Sequence, residues 1–212
     1  MLCPLCQTSN SRLFHRDKKR EYKQCMQCHL VFVPTEFHLS SEDEKAQYDL
    51  HDNQIDDPGY RKFISRTIDP VLSRVNKIAK GLDFGCGPGP VLSVMAKEQG
   101  VQVKNYDLYY ANHPELLDQT FDFITMTEVI EHLARPFEVL NQLDKMLNSG
   151  GLLAIMTKRV KDQDAFATWH YIHDPTHICF FSVPTFEWIA TKKNWRLEIV
   201  ANDVVFFTKS EK

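Results

Sequence analysis

The chain has 212 residues, 43% of them hydrophobic, with 25 basic and 28 acidic side chains and a net charge of −3. That suits one ordinary domain plus a small appendage with a core of its own. It argues against a globally basic nucleic-acid binder, and no apolar run approaches the ~20 residues of a bilayer-spanning helix. Met1-Leu2-Cys3-Pro4 lacks the charged-then-apolar form of a signal peptide, so a cytoplasmic protein is expected, its six cysteines serving as thiols or metal ligands.

Residues 1–35 carry a charge of +4 and two matched pairs, Cys3-x-x-Cys6 and Cys25-x-x-Cys28, eighteen residues apart. A two-residue gap lets both thiolates of a turn face one ion, and two such turns close a tetrahedron with no open position for chemistry. A structural zinc on Cys3, Cys6, Cys25 and Cys28 is therefore expected, supplying folding energy that so short a segment lacks. A redox dithiol would appear singly beside a βαβ unit. Ser11–His15 and Glu21–Gln24 read as short strands around a basic turn at 16–20. The module resembles a zinc ribbon, a unit that docks nucleic acid, docks protein, or simply folds.

Residues 36–57 carry eight acids against Lys45, a charge of −7, and read as a solvated linker or surface helix. From residue 58 the pattern becomes alternating helices and strands. Apolar positions from Phe63 to Ala79 keep a helical period interrupted at Pro70. A strand ends at Asp83, and the loop Gly85-Cys-Gly87-Pro-Gly89-Pro90 opens a helix that stops at Gly100. A second strand, Val101–Tyr106, ends at Asp107. Glycines admit a ligand close to the backbone, the helix N-terminus offers N–H groups, and an acid at the next strand tip can take both ribose hydroxyls. No Walker-type phosphate loop is present, and Pro90 stands where a dinucleotide loop wants its third glycine.

The loop Asp83-x-Gly85-x-Gly87-x-Gly89 resembles motif I of class I S-adenosylmethionine-dependent methyltransferases. Later segments agree in order: the apolar strand Phe121–Met126, the run Thr127-Glu-Val-Ile-Glu-His-Leu133, and the turn Asn148-Ser-Gly-Gly151 before the strand Leu152–Met156. The resemblance covers roughly residues 58–208. It implies an α/β Rossmann-like sheet of seven strands, order 3-2-1-4-5-7-6, closed by a hairpin of Trp195–Val200 and Val204–Thr208. The domains expected are then 1–35 zinc ribbon, 36–57 linker and 58–212 methyltransferase. It further implies that S-adenosylmethionine is held by Asp83, Gly85, Gly87, Gly89, Asp107 and Glu128. Two departures stand out. Only thirteen residues separate Asp107 from Phe121, so strand three and its helix must be abbreviated. No Asn/Asp-Pro-Pro-aromatic tetrapeptide follows strand four, which argues against adenine and glutamine as acceptors.

Glu128, Glu131 and His132 are spaced to share one helical face, and His170, His173 and His177 sit in the loop after strand five, walled by Trp169, Tyr171 and Phe181. Glu128, His132 and His177 are the catalytic candidates. Either histidine can act as a general base on a hydroxyl or acidic carbon, as in the quinone-pathway O-methyltransferases whose Glu-Val-x-Glu-His run this chain resembles. Alternatively the cluster can hold a divalent metal, as in small-RNA 3′-end 2′-O-methyltransferases. A zinc module before such a domain is also similar to sugar C-methyltransferases. The leading expectation is a small-molecule acceptor, because no basic stripe tracks a nucleic-acid backbone. The alternative is an RNA or protein methyltransferase whose ribbon docks its substrate. Cys86 and Cys179 receive no catalytic role, and the oligomeric state is not legible.

Overall fold

In the computed structural model, which describes residues 1–50 and 53–211, the chain builds two sheets joined through shared cores. Asp52 of the acidic stretch and Lys212 at the end of the third expected domain lie outside the described residues.

The first sheet begins with the hairpin β1 (Ser11–Arg16) and β2 (Glu21–Cys25), followed by β3 (Val31–Phe32). The acidic stretch then holds α1 (Ser41–Tyr48), whose N-terminus is capped by the Ser40 hydroxyl accepting from the Asp43 N–H. Next comes α2 (Pro58–Leu72), capped by the Asp57 carboxylate and opened by proline. Its Ile64, Thr67, Ile68 and Val71 form the buried stripe, and Pro70 falls in the last turn rather than breaking a longer helix.

The second sheet takes β4 (Lys80–Phe84), β5 (Gln102–Tyr106), β6 (Phe121–Thr127) and β7 (Leu147–Met156) in parallel, with α3 (Val91–Glu98) and α4 (Pro136–Met146) as crossovers. After β7 come α5 (Gln163–Ala167), β8 (Cys179–Phe180) and α6 (Val183–Lys193). The hairpin β9 (Trp195–Ile199) and β10 (Val204–Lys209) closes the sheet antiparallel to β7. Phe123, Ile124 and Met126 of β6 are fully buried, as a central parallel strand covered on both faces requires.

The order is β5-β4-β6-β7-β10-β9, six strands. This corrects the expected seven: the outermost strand of the 3-2-1-4-5-7-6 order is missing among the described residues. A crossover with its helix needs about 10–12 residues before any strand is counted. The thirteen available hold only the bridge Asp107–Ala111 and a single turn at Pro114–Leu116.

The first sheet is not confined to the N-terminal residues. Its order is β1-β2-β3-β8, so its fourth strand comes from beyond β7. Phe166 of α5 packs edge-on against Phe14, Tyr22 and Phe180 at 5.1–5.2 Å between ring centres. Arg20, 8% exposed, donates from its guanidinium to the carbonyls of Ile172, Asp174 and Pro175. The basic turn between the cysteine pairs thus grips the backbone of the histidine-bearing loop.

Candidate active site

The parallel strands end together at Phe84, Tyr106, Thr127 and Met156, and the loops beyond them share one edge. Gly85 leaves β4 at φ +81°, and a Cβ there would lie 2.5 Å from Val129 Cγ2. The Gly87 N–H donates to Asp107 Oδ2 at 3.0 Å. Asp107 Oδ1 accepts from the Tyr109 and Tyr110 N–H groups at 2.8 and 3.1 Å, fixing the acid at the strand tip. Asp83 is 5% exposed and accepts from Thr125 Oγ1 at 2.8 Å; burial, opposed by that hydrogen bond and aided by the Asp107 charge, pushes its carboxyl up to about 7.

Beyond β6 the chain does not form the α-helix whose spacing was expected to align three side chains. Glu128 sits at φ +53°, and only a short turn of 3-10 type follows, Ile130–His132. The convergence comes instead from this tight turn meeting the loop after β7, where Ile178 N–H bonds to Glu131 O at 2.9 Å. Glu131, His132 and His177 each bring a ligand-type atom within 4.8 Å of the others. The Tyr171 hydroxyl lies between two carboxyls, 3.1 Å from Glu128 Oε2 and hydrogen-bonded to Glu131 Oε1. Burial pushes Glu128 up to about 7 and fully buried Glu131 up to about 8, the latter also raised by Glu128. Near neutrality one carboxyl therefore keeps its proton and can donate where a single tyrosine hydroxyl cannot serve both. Glu131 Oε2 has no hydrogen-bond partner among the described residues.

His177 Nδ1 donates to Tyr171 O at 2.8 Å, which puts the ring's lone pair on Nε2, 3.7 Å from Asp174 Oδ2. Burial pulls His177 below its ordinary value against the opposing pull of Asp174, so the imidazole is neutral at pH 7. Its ring lies 4.7 Å from that of His132, whose Nδ1 meets Thr176 O at 3.2 Å. His170 and His173 are exposed, and neither belongs to the cluster of Glu131, His132 and His177.

Sequence reasoning missed the roof of the site. Tyr48 of α1 stands edge-on to His132 at 5.3 Å and gives its hydroxyl to Glu44. Glu44 also accepts from the Tyr109 hydroxyl, and Asp49 from that of Tyr110. A Cβ on Gly89 would meet the Asn53 carbonyl oxygen at 2.0 Å. The one available signal was Tyr48 placed one turn beyond Glu44 in an otherwise charged stretch. Tyr60 of α2 is the other omission: burial, with Asp83, Cys86 and Glu128 nearby, raises its phenol to about 12.

The four cysteines expected to bind metal bring their sulfurs within 4.8 Å of one another, with Cys3–Cys28 at 3.5 Å and Cys6–Cys25 at 3.3 Å. These separations are far longer than a disulfide of about 2.05 Å and near the edge of a tetrahedron with 2.3 Å metal–sulfur bonds. A cavity of about 460 Å³ lies elsewhere, at the opposite edge beside Lys80, Gln102 and Phe121.

A family model described as a methyltransferase domain matches residues 57–199. A ubiquinone biosynthesis O-methyltransferase of Colwellia psychrerythraea is 28% identical over 127 residues, 59% of this chain and 50% of that one, so the chain spans about half the relative's length. Among solved structures, magnesium protoporphyrin IX methyltransferase of Synechocystis with bound S-adenosylhomocysteine superposes with a TM-score of 0.54 at 13% identity, covering 82% of this chain and 96% of that one. The 1,6-didemethyltoxoflavin-N1-methyltransferase of Burkholderia thailandensis gives 0.54 at 14% identity, covering 96% and 100%. Both likenesses are of fold.

Proposed function

The chain belongs to the methyltransferase-domain family whose model matches residues 57–199, and on that premise we propose that it transfers a methyl group from S-adenosylmethionine to a hydroxyl or activated carbon of a small-molecule acceptor. When bound, the sulfonium cofactor supplies a methyl group already activated for displacement. The residues fitted to hold it are Asp83, Gly85, Gly87, Gly89 and Asp107, with Glu128 beside them. The glycine cradle is too close to Val129 for any side chain at residue 85, and Asp107 is anchored by three backbone N–H groups at the tip of β5.

The observation that carries the choice of acceptor is the cluster of Glu131, His132 and His177 beside that loop. A neutral His177 with its Nδ1 proton held by Tyr171 O presents Nε2 as base, and His132 stands beside it to pass the proton on. Glu128 and Tyr171 orient the acceptor from the other side. Both rest on protein groups, as precise alignment in displacement chemistry demands. A second reading, a divalent cation on Glu131, His132 and His177, is favoured by the unpartnered Glu131 Oε2; it would polarise the acceptor oxygen. The relatives named as O-methyltransferases support an oxygen acceptor. A zinc ion on Cys3, Cys6, Cys25 and Cys28 fits the sulfur separations and serves folding, since all four positions are filled by thiolates.

Calorimetry with S-adenosylhomocysteine tests the cofactor reading. Asp107→Ala should weaken binding by about 1–3 kcal/mol, the loss of charge-assisted hydrogen bonds. Equal affinity in the variant would remove Asp107 from the ribose, and absence of binding to the parent protein would sink the proposal.

A further inference from the structure

An open cavity of about 420 Å³ adjoins the reaction site on its other flank, lined by Arg66, Lys158, Arg159, Lys161, Trp169 and Asp203 among others. Four cations face one acid in a chain whose net charge is −3. Asp203 is bound by Arg66 in an ion pair and also acts on Arg159, so the other three cations share an acid that is already paired. Lys158 Nζ lies 2.8 Å from His170 Nε2. Arg159 donates from Nη2 to the Ala201 carbonyl at 2.8 Å, while its Nη1 is buried with no acceptor among the described residues. Lys161 is exposed. A buried guanidinium nitrogen left without an acceptor is costly, and positive charges that outnumber their counter-charges repel one another. Both costs are relieved by an anion.

The cavity is also well placed. Lys158 lies two residues past the end of β7, with its ammonium 5.2 Å over the ring of Tyr171. The Tyr171 hydroxyl reaches Glu128, so a single side chain separates the basic cavity from the reacting groups. Lys158 and Arg66 are near enough to oppose the burial that raises Glu128. Trp169 stacks on the Tyr171 ring at 4.9 Å and walls the same space.

We infer that this cavity binds a phosphate or diphosphate group carried by the acceptor, anchoring a phosphorylated small molecule while its hydroxyl or carbon lies by Glu128 and His177. The inference rests on the methyl-transfer reading above and names the substrate class for the same site. A phosphate is favoured over a carboxylate by charge: a carboxylate offsets one cation, whereas a phosphate brings about −1.5 to −2 and three acceptor oxygens. It suits the fork of Arg159 together with two flexible ammonium groups.

Calorimetry with inorganic pyrophosphate, benzoate and a single-stranded RNA oligonucleotide provides the test, run at about 50 mM salt with S-adenosylhomocysteine as control. Pyrophosphate should bind with a Kd below about 1 mM and benzoate at least tenfold more weakly. Lys158→Gln and Arg159→Gln should each weaken pyrophosphate by about tenfold or more, with S-adenosylhomocysteine affinity unchanged. Lys161→Gln, at an exposed position, should weaken it severalfold in a chain whose folding it does not touch. Unchanged pyrophosphate affinity in all three variants, or benzoate binding as well as pyrophosphate, overturns the inference. So does an oligonucleotide that binds through these residues and is not displaced by pyrophosphate, which would make the cavity part of a nucleic-acid track. Loss of S-adenosylhomocysteine binding in the parent protein is a separate result and strikes the methyl-transfer reading instead.

Discussion

Substituting Gly85 by alanine separates two costs that the structure assigns to one position. The backbone there has φ +81°, a left-handed conformation that costs an L-residue about 1–2 kcal/mol. The new Cβ would also lie 2.5 Å from Val129 Cγ2 and 2.9 Å from Cγ1, an overpacking worth about 1–3 kcal/mol. Gly85→Ala should therefore destabilise by about 2–5 kcal/mol. Gly87 provides the control, because it shares the positive φ, +64°, but a Cβ there meets only Asn53 Nδ2 at an ordinary 3.5 Å. Gly87→Ala should cost only the backbone part, about 1–2 kcal/mol. Urea midpoints on protein of equal metal content give both values. A double-mutant cycle with Val129→Ala isolates the clash, and a coupling of about 1–3 kcal/mol is expected. If Gly87→Ala costs as much as Gly85→Ala, or if Val129→Ala leaves the Gly85→Ala penalty whole, the steric account of this loop is wrong.

Arg20→Met should destabilise by more than about 2 kcal/mol, since three carbonyls lose a charged donor, and hydrogen exchange should rise across 170–178. On the zinc proposal, metal analysis should find about one zinc in the Arg20 variant and none in Cys25→Ser. Asp83 adds a pH dependence whose sign follows from its carboxyl being raised to about 7. The folded chain holds a proton that the unfolded chain releases near 4, so the contribution of Asp83 is full below about 4 and falls as pH climbs to about 7, by roughly 4 kcal/mol. Asp83→Asn should flatten that slope in denaturant midpoints taken from pH 4 to 8; an unchanged slope would assign it to other groups.

The segments legible in the sequence were those whose pattern is local. The strand Phe121–Met126 announces itself by unbroken apolar residues, the glycine loop by its spacing, and the paired cysteines by theirs. What stayed hidden depends on residues distant along the chain. Nothing near Cys179 and Phe180 says that two residues will extend a sheet begun at Ser11. Tyr48 looks like one more polar position in an acidic stretch until Tyr109 and His132 are seen beneath it. The spacing of Glu128, Glu131 and His132 suggested a helical face, but Glu128 takes a positive φ and only a short 3-10 turn follows it. Lys158, Arg159 and Lys161 read as an ordinary charged loop until Arg66 and Trp169 surround the same space.

The pairing of β3 with β8 orders events during synthesis. The cysteine-bearing hairpin leaves the ribosome early, yet the outer edge of β3 stays unpaired until Cys179 and Phe180 have followed. Arg20 likewise waits for a carbonyl partner 152 positions downstream. Closing a loop of that length costs on the order of 4 kcal/mol in chain entropy, a cost that the local β1–β2 hairpin does not carry. In the interval β3 presents an open strand edge to other nascent chains. A chain truncated before residue 179 keeps its four paired cysteines and its glycine loop but carries that edge permanently, which makes aggregation the expected fate of such fragments.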